Sequence, residues 1–211
     1  MAQIGDEPFL DVLLKALARA GFQRFILMTG YKADSVEEYY REKKLDAEIE
    51  FSREAKPLGT AGALKNARAL IHSDPFVCMN GDSFCSLDYK EFLKFYSSKK
   101  ADAALVLSKV KDRRDFGTIT LDGAQRIISF QEKQKLPPVA GEHYVNVGLY
   151  CFSQKIFEWM PPAPTAKFMF ETDFFPQLVQ RKLYGFITER NFWDIGTPDR
   201  FRKARGILKK L

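Results

Sequence analysis

Two aspartates in this sequence follow short apolar stretches that are typical of buried strands. Asp82 lies in "PFVCMNGDSF", just after the strand-like residues Pro75 to Met79, and Asp194 lies in "NFWDIG" after an aromatic pair. Open α/β sheets build ligand sites where a strand delivers a carboxylate at its carboxyl end, and Gly81 would let a ligand approach the backbone there. The alternative for Asp82 is a plain Asn-Gly-Asp turn. Asp194 has apolar neighbours and is harder to explain as a solvated loop charge.

A glycine-containing loop, "KPLGTAGAL" from Lys56 to Leu64, joins a predicted strand to a predicted helix. Gly59 and Gly62 are expected to leave backbone amides facing a ligand, and Thr60 is expected to cap the helix, whose amino terminus favours acceptor groups. The alternative is a helix cap with a tight turn and no ligand.

An acid and a base stand side by side in "FQEK", as Glu132 and Lys133 at the end of a predicted strand. Adjacent strand residues face opposite ways, so the two are not expected to form only a salt-bridged pair. Either one of them enters a cleft, or the pair lies on the surface edge of a hairpin.

The elements that must position these residues alternate between helix and strand in the first half of the chain. Predicted strands run from Arg24 to Thr29, Ala47 to Ser52, Pro75 to Met79 and Ala103 to Val110. Predicted helices run from Pro8 to Ala20, from a cap at Asp34 or Ser35, from Ala61 to Ile71 and from Leu87 to Ser97. This rhythm predicts an α/β fold with a mostly parallel, Rossmann-like twisted sheet and helices on both faces.

The second half of the chain is richer in strand patterns. A hairpin is predicted with its turn at Asp122-Gly123, followed by the strand "YVNVGLYCF", two helices, the short strands "YGFIT" and "FWDIG", and a last helix that Thr197 caps. These strands predict a small antiparallel extension. The length of 211 residues fits one domain over residues 1–211.

The net charge of +6, from 33 Lys and Arg against 27 Asp and Glu, is compatible with nucleic acid or with phosphorylated small molecules. Basic residues gather only in the last helix, where a solvated helix face explains them. They are Arg200, Arg202, Lys203, Arg205, Lys209 and Lys210. Because no helix-turn-helix or aromatic RNA-binding signature accompanies the charge, we expect no nucleic-acid partner.

The sequence also predicts a cytoplasmic protein with reduced thiols and no membrane partner. Its apolar runs are too short to cross a bilayer, and no signal-peptide pattern precedes Pro8. Cys78, Cys85 and Cys151 are odd in number and lack zinc-like spacing. A homo-oligomer is left open, since phenylalanines near "KFMFETDFF" suit either an interface or, as we favour, the core.

The order of the motifs resembles one family. PLGTAGAL, NGDSF, FGTI, FQEK, VNVGLYCF and FWDIGTPDRF follow one another as in the sugar-1-phosphate nucleotidyltransferases, from Ile4 to Ala204. PLGTAGAL and NGDSF have the form found in the branch of heptose-1-phosphate and mannose-1-phosphate guanylyltransferases. The motifs together are specific for the family and less so for the sugar or the base.

The resemblance implies that a sugar 1-phosphate attacks the α-phosphorus of a nucleoside triphosphate, GTP being favoured, and that pyrophosphate leaves. By position, Asp82 and Asp194 match the carboxylates that hold the catalytic Mg²⁺, which suits the preference of that ion for hard oxygen ligands. Lys133 matches the lysine that binds the sugar phosphate. The remaining matches are Glu132 to the acid that bonds sugar hydroxyls, Asn146 and Gly148 to the sugar-contacting strand, and Leu58, Gly59, Thr60 and Ala61 to the nucleobase loop.

The sequence departs from the family pattern at its start. Family members begin with a central strand and a loop of the form G-G-x-G-T-R-L, then a stretch ending Pro-Lys-Pro, and Met1 stands where an internal Met would follow. Without the groups that grip the β- and γ-phosphates, a chain is expected to be nearly inert. Our hypothesis is a shortened version of a longer protein, from a mis-called start codon or a truncation.

Two further interpretations compete with an enzyme. The first is a non-catalytic paralogue that binds nucleotide sugars and serves as a regulatory or assembly subunit, which the missing loop favours. Asp82, Asp194 and Lys133 count against it, because a binder has little need of both metal carboxylates. The second is an interaction protein without a ligand, which we favour least.

Overall fold

The computed structural model describes residues 1–43, 45–110, 118–131, 143–162 and 167–208. Strands β1 to β12 are Gln3–Ile4, Glu7–Pro8, Arg24–Thr29, Glu48–Arg53, Phe76–Met79, Ser83–Cys85, Ala103–Val110, Thr118–Leu121, Ile127–Gln131, His143–Phe152, Leu183–Thr188 and Phe192–Asp194. Helices α1 to α7 are Phe9–Arg19, Ala33–Glu42, Thr60–Asn66, Tyr89–Ser98, Ile156–Trp159, Phe175–Leu178 and Pro198–Leu208. A 3₁₀ turn at Ala67–Leu70 and a π-helical turn at Phe170–Phe174 complete the elements of the described residues.

The chain divides into two compact units. The N-terminal unit comprises Met1–His72, Pro161–Met169 and Ile195–Leu211, and the central unit comprises Ser73–Met160 and Phe170–Asp194. A single nucleotidyltransferase-like domain over residues 1–211 remains a prediction.

The N-terminal unit contains two small sheets. Strands β1 and β2 form an antiparallel hairpin in which Gly5 takes a φ of 66°, a conformation that glycine adopts without steric cost. Strands β3 and β4 pair in parallel, with Arg24 opposite Glu48 and Thr29 opposite Arg53. The predicted strand from Arg24 to Thr29 is therefore confirmed.

Helix α1 buries an apolar face that carries one charged side chain. Asp11 is fully buried and accepts hydrogen bonds from the hydroxyls of Tyr39 at 2.7 Å and Tyr40 at 2.8 Å, and from the Lys43 ammonium. Burial alone would raise the pKa of Asp11, but the hydrogen bonds from Lys43, Tyr39 and Tyr40 hold that pKa below its ordinary value. This network ties α1 to α2 and to the residue that follows α2.

The central unit is built on a six-stranded mixed sheet. Strand β10 pairs antiparallel with β5, β7 and β8, while β11 runs parallel to β7 and β9 forms a hairpin with β8. Fewer strand pairs of this sheet are parallel than the alternation of strands and helices predicts, because β10 lies between β5 and β7 and runs opposite to both. A local sequence pattern carries no information about such an insertion.

The core of this sheet follows the apolar runs of the sequence. Ala103 to Leu107 of β7 are all fully buried, as a continuous apolar run predicts for a central strand. Phe92 and Phe95 of α4 pack on Phe186 of β11, with ring centroids 5.4 and 5.3 Å away. Phe170, Phe174 and Phe175 of this unit are buried as well, which agrees with a core role rather than an exposed surface, and Phe168 is buried in the N-terminal unit.

Several helix ends differ from the predictions. Helix α2 begins at Ala33 after Lys32, whose φ is 56°, so neither Asp34 nor Ser35 caps it. Asp34 instead lies in the first turn and pairs with Arg53 at 2.6 Å. The predicted helix from Ala61 to Ile71 is α3 followed by the 3₁₀ turn.

The predicted hairpin of the central unit is present, with a different turn geometry. The Asp122 carboxylate accepts hydrogen bonds from the backbone N–H groups of Ala124 at 2.9 Å and Arg126 at 2.8 Å. The positive φ of 65° falls on Gln125 and not on Asp122-Gly123. Thr197 does cap α7, because its Oγ1 accepts from the Arg200 N–H at 3.3 Å.

The three cysteines lie in the interior, and the helices of the described residues are short. Cys78, Cys85 and Cys151 are free and buried, and burial raises their pKa values to about 12, 11 and 12. The reduced state of the three thiols stays a prediction. No helix in the described ranges is both long enough and apolar enough to span a bilayer.

Candidate active site

The two predicted metal carboxylates lie at one end of a two-stranded sheet in the central unit. Strands β6 and β12 pair antiparallel, with Ser83 opposite Asp194 and Phe84 opposite Trp193. Asp82 directly precedes Ser83, whose hydroxyl donates to Asp82 Oδ1 at 3.2 Å. Residues 112 positions apart in the chain are therefore neighbours, and Phe84 and Trp193 support the pairing through rings 5.8 Å apart.

The donor chemistry of this pair fits a hard divalent cation. Asp82 is exposed and Asp194 is half-buried, so both are accessible to a ligand. Within the described ranges, no group of three or more His, Cys, Asp or Glu residues is arranged to hold a metal. A pair of carboxylates is nevertheless what Mg²⁺ uses when phosphate oxygens and water complete its six ligands.

Gly148 lies where β10 meets the residue after β5. The Asn80 N–H donates to the Gly148 carbonyl at 2.8 Å, and Gly148 takes a φ of 82°. A Cβ atom at this position would lie 2.7 Å from Asn80 Nδ2. Only glycine fits, so the close approach of Asn80 explains the residue whether or not Gly148 also contacts a sugar.

Asn146 has its side-chain amide bonded on both sides. Its Oδ1 accepts from the Gly148 N–H at 2.9 Å, and its Nδ2 donates to Tyr150 Oη at 2.8 Å and to Glu171 Oε1 at 3.4 Å. The sequence motifs point to Asn146 but not to Tyr150 or Glu171. No local pattern predicts either contact, because residues four apart on a regular strand do not touch and Glu171 is 25 residues from Asn146 in the chain.

The predicted nucleobase loop, Leu58 to Ala61, belongs to the N-terminal unit, and its geometry corrects two predictions. The helix α3 is capped by Gly59, with no side-chain hydrogen bond, and Thr60 is its first residue and not its cap. The Gly62 N–H donates to the Phe168 carbonyl at 3.0 Å, so this amide does not face a ligand. The side chain of Ala61 is fully buried.

Gly59 is required by the close approach of the backbone at Phe168. Gly59 has a φ of 81°, and a Cβ atom there would lie 2.6 Å from the Phe168 carbonyl oxygen. The Phe168 N–H donates to the Leu58 carbonyl at 2.8 Å. The loop is thereby fixed between its own helix and the segment at Phe168.

Glu54 also positions this loop, and no sequence motif singles it out. Glu54 Oε2 accepts from the Leu58 N–H at 3.0 Å, and the Glu54 side chain lies against Gly30, where a Cβ would come within 2.5 Å of Oε1. The sequence feature that could have predicted this contact is the position of Glu54, an acid just after a strand and four residues before Leu58.

Glu132 and Lys133 lie outside the described residues. Asp82, Asp194, Asn146 and Gly148 all belong to the central unit, where β6, β12 and β10 hold them. Gly81 is exposed, and the space around it is open.

A family model described as "Nucleotidyl transferase" matches residues 1–210. The chain belongs to the nucleotidyl transferase family. The family predicted from the motifs is therefore confirmed, while the metal role of Asp82 and Asp194 stays a prediction.

Curated relatives of this nucleotidyltransferase include two kinds of guanylyltransferase. The chain is 37% identical over 211 residues to D-glycero-alpha-D-manno-heptose 1-phosphate guanylyltransferase of Aneurinibacillus thermoaerophilus, covering 99% of this chain and 88% of the relative. It is 33% identical to mannose-1-phosphate guanylyltransferase of Mycobacterium tuberculosis, covering 95% of this chain but only 56% of that protein.

Among solved structures, this nucleotidyltransferase is similar to HddC from Yersinia pseudotuberculosis. The TM-score is 0.84 at 35% identity, over 98% of this chain and 88% of HddC. HddC complexed with GMP-PN matches with a TM-score of 0.82 and the same coverage. The similarity confirms the predicted α/β class of the fold.

Proposed function

We propose that this nucleotidyltransferase transfers a guanylyl group from GTP to a heptose 1-phosphate or mannose 1-phosphate. The pairing of β6 with β12, which puts Asp82 and Asp194 at one end of the same sheet, is the observation that carries the proposal. The names of the relatives favour these sugars, and the complex of HddC with GMP-PN favours a guanine nucleotide.

In the proposed reaction, a phosphate oxygen of the sugar 1-phosphate forms a bond to the α-phosphorus of GTP. The bond from the α-phosphorus to the bridging oxygen breaks, and pyrophosphate leaves with the electron pair of that bond. No covalent enzyme intermediate is involved. Catalysis in such a site consists of positioning the reactants and neutralising the charge on their phosphate oxygens.

Asp82 and Asp194 would hold the Mg²⁺ of this reaction. When bound, that ion supplies positive charge to the phosphate oxygens. The antiparallel ladder keeps the two backbones neighbours, and the hydroxyl of Ser83 bonds Asp82 Oδ1. The backbones that carry the two carboxylates are thus held next to each other before any ligand arrives, which lowers the cost of binding one.

The remaining roles are proposed for the residues that match the family. Lys133 would bind the sugar phosphate, and Glu132 and Asn146 would bond sugar hydroxyls. The loop from Leu58 to Ala61 would contact the base. Its backbone is fixed by Glu54 and by the segment at Phe168, which supports a role that depends on backbone geometry.

A non-catalytic binding paralogue is not favoured. The relatives carry the names of enzymes, and both carboxylates of the proposed metal pair are present and adjacent. We propose that the nucleotide sugar it forms is a precursor of lipopolysaccharide or capsule. The cytoplasmic location and the homo-oligomer remain predictions.

The proposal is tested by mixing the protein with Mg²⁺, GTP and each of the two sugar 1-phosphates, and by measuring pyrophosphate and GDP-sugar. With the protein in stoichiometric excess, so that slow turnover is detected, we expect both products in equal amounts, with formation lost in Asp82→Asn and Asp194→Asn. Asp46→Asn, at an exposed aspartate of the N-terminal unit, is the matched control and should behave as the wild type. Equal product from wild type and Asp82→Asn would overturn the metal roles.

A further inference from the structure

Three irregular features of the central unit meet at the amide of Asn146. Strand β10 shifts its register on β7 between Asn146 and Tyr150, and Gly148 lies inside that irregularity with its positive φ. Glu171 comes from the π-helical turn. Single π-helical turns and bulged strands occur frequently at functional sites, where a side chain has to be re-aimed.

The irregularity of β10 is what brings Asn146 to Tyr150. In a regular strand the Cα atoms of residues four apart are about 13 Å from each other. Here Asn146 Nδ2 donates to Tyr150 Oη at 2.8 Å. The bulge and the length of the tyrosine side chain together close that gap.

The tyrosine and the π-helical turn are held by an aromatic cluster. The Tyr150 ring lies 5.2 Å from the rings of Phe170 and Phe175, which themselves stack at 5.2 Å. Tyr150, Phe170, Phe174 and Phe175 are almost completely buried. Packing of this kind fixes Tyr150 Oη and the start of the π-helical turn, and thereby the position of Glu171.

Hydrogen bonds close a triangle among Asn146, Tyr150 and Glu171. Asn146 Nδ2 donates to Tyr150 Oη and to Glu171 Oε1, and Tyr150 Oη donates to the same Glu171 oxygen at 3.4 Å. An asparagine side chain has two donor hydrogens and two acceptor lone pairs. The triangle occupies both hydrogens, and the Gly148 N–H occupies one lone pair.

We propose that Glu171 and Tyr150 are positioning residues of the sugar subsite. They hold the Asn146 amide in one orientation, so that Asn146 meets the sugar with the second lone pair of Oδ1 and accepts a hydrogen bond from a sugar hydroxyl. This inference rests on the proposed function, because it takes Asn146 as a sugar contact.

The test compares ligands with and without the sugar. Calorimetry would measure the binding of GDP, GDP-mannose and GDP-heptose to wild type, Glu171→Ala, Tyr150→Phe and Glu171→Gln. We expect Glu171→Ala and Tyr150→Phe to lower the affinity for the GDP-sugar that wild type prefers by about tenfold, because each loses about one hydrogen bond. The affinity for GDP should not change. Glu171→Gln keeps an acceptor oxygen and should recover most of the affinity.

Matched controls come from the same unit. Glu158→Ala removes an exposed acid of α5, and Tyr89→Phe removes the hydroxyl of another buried tyrosine, and both should bind every ligand as wild type does. Should Tyr150→Phe fold poorly, Glu171→Ala carries the test, because Glu171 is only half-buried.

The outcomes separate the inference from the proposed function. Wild type that binds none of the three ligands contradicts the proposed function. Wild type that prefers a GDP-sugar over GDP, with variants that show the same preference, overturns only the positioning role. Equal loss of GDP and GDP-sugar in Glu171→Ala would mean that Glu171 supports the fold and not the sugar subsite, and would overturn the inference too.

Discussion

Asp194 lies directly opposite Ser83 in the antiparallel ladder of β6 and β12. This one pairing brings Asp82 beside Asp194 and links two segments that the sequence separates by more than half of the chain. The proposed metal site depends on this pairing, because two carboxylates can share one Mg²⁺ only if they are neighbours.

Gly148→Ala should destabilise the protein by about 1–3 kcal/mol, because a Cβ would meet the Asn80 amide and the positive φ is strained for alanine. Urea unfolding at equilibrium measures this. Gly123→Ala is the control, since nothing lies within 4 Å of its added Cβ and no positive φ is found there. A change below about 0.5 kcal/mol for Gly148→Ala would contradict the close approach of Asn80.

Gly59→Ala should disturb the nucleobase loop and weaken GTP binding by about tenfold or more, because the added Cβ would come within 2.6 Å of the Phe168 carbonyl. Fluorescence titration with a labelled guanine nucleotide measures the affinity.

Gly206→Ala serves as the control for this loop. Gly206 lies within α7, and its added Cβ meets nothing within 4 Å, so alanine should stabilise the helix by up to about 1 kcal/mol and leave nucleotide binding unchanged. Unchanged GTP affinity in a folded Gly59→Ala protein would remove the loop from the proposed base site.

Asp11→Asn should lower the free energy of unfolding at pH 7 by about 2–3 kcal/mol, since the hydrogen bond to the Lys43 ammonium is charge-assisted and the site is buried. The folded-state pKa of Asp11 lies below its ordinary value of 3.8. Its contribution is therefore complete above pH 3.8 and is lost as the pH falls through the folded-state value.

Urea unfolding of wild type and Asp11→Asn at pH 7, 4 and 3 checks that sign. The difference between the two proteins should shrink towards pH 3. Asp46→Asn, at an exposed aspartate, is the comparison and should match wild type at every pH. A wild-type advantage that grows on acidification would contradict the charge network around Asp11.

Local patterns in the sequence were enough for most elements of the fold. The bounds of β3 and β7 agree with the predictions residue by residue, because an apolar run between polar ends is itself the physical cause of a buried strand. The cap of α2 could not be predicted in the same way. Lys32 adopts a left-handed conformation that its residue type does not favour.

The candidate site was predictable where motifs carry it and not where long-range contacts do. Asp82 and Asp194 were identified from motifs, and the structure adds the ladder that joins them. The hydrogen bonds of the Gly62 N–H to Phe168 and of Asn146 to Glu171 join segments more than 20 residues apart in the chain, and no periodicity predicts such contacts. Predictions for Glu132 and Lys133 remain predictions.

The most direct measurement of the central claim is the formation of GDP-sugar from radiolabelled GTP with the protein in stoichiometric excess, so that a single slow turnover is detected. With Mg²⁺ and heptose 1-phosphate or mannose 1-phosphate, wild type should form GDP-sugar, and Asp82→Asn and Asp194→Asn should each form it about 10² times more slowly or worse. Product formation by either variant at the wild-type rate, or none by wild type, would contradict the account.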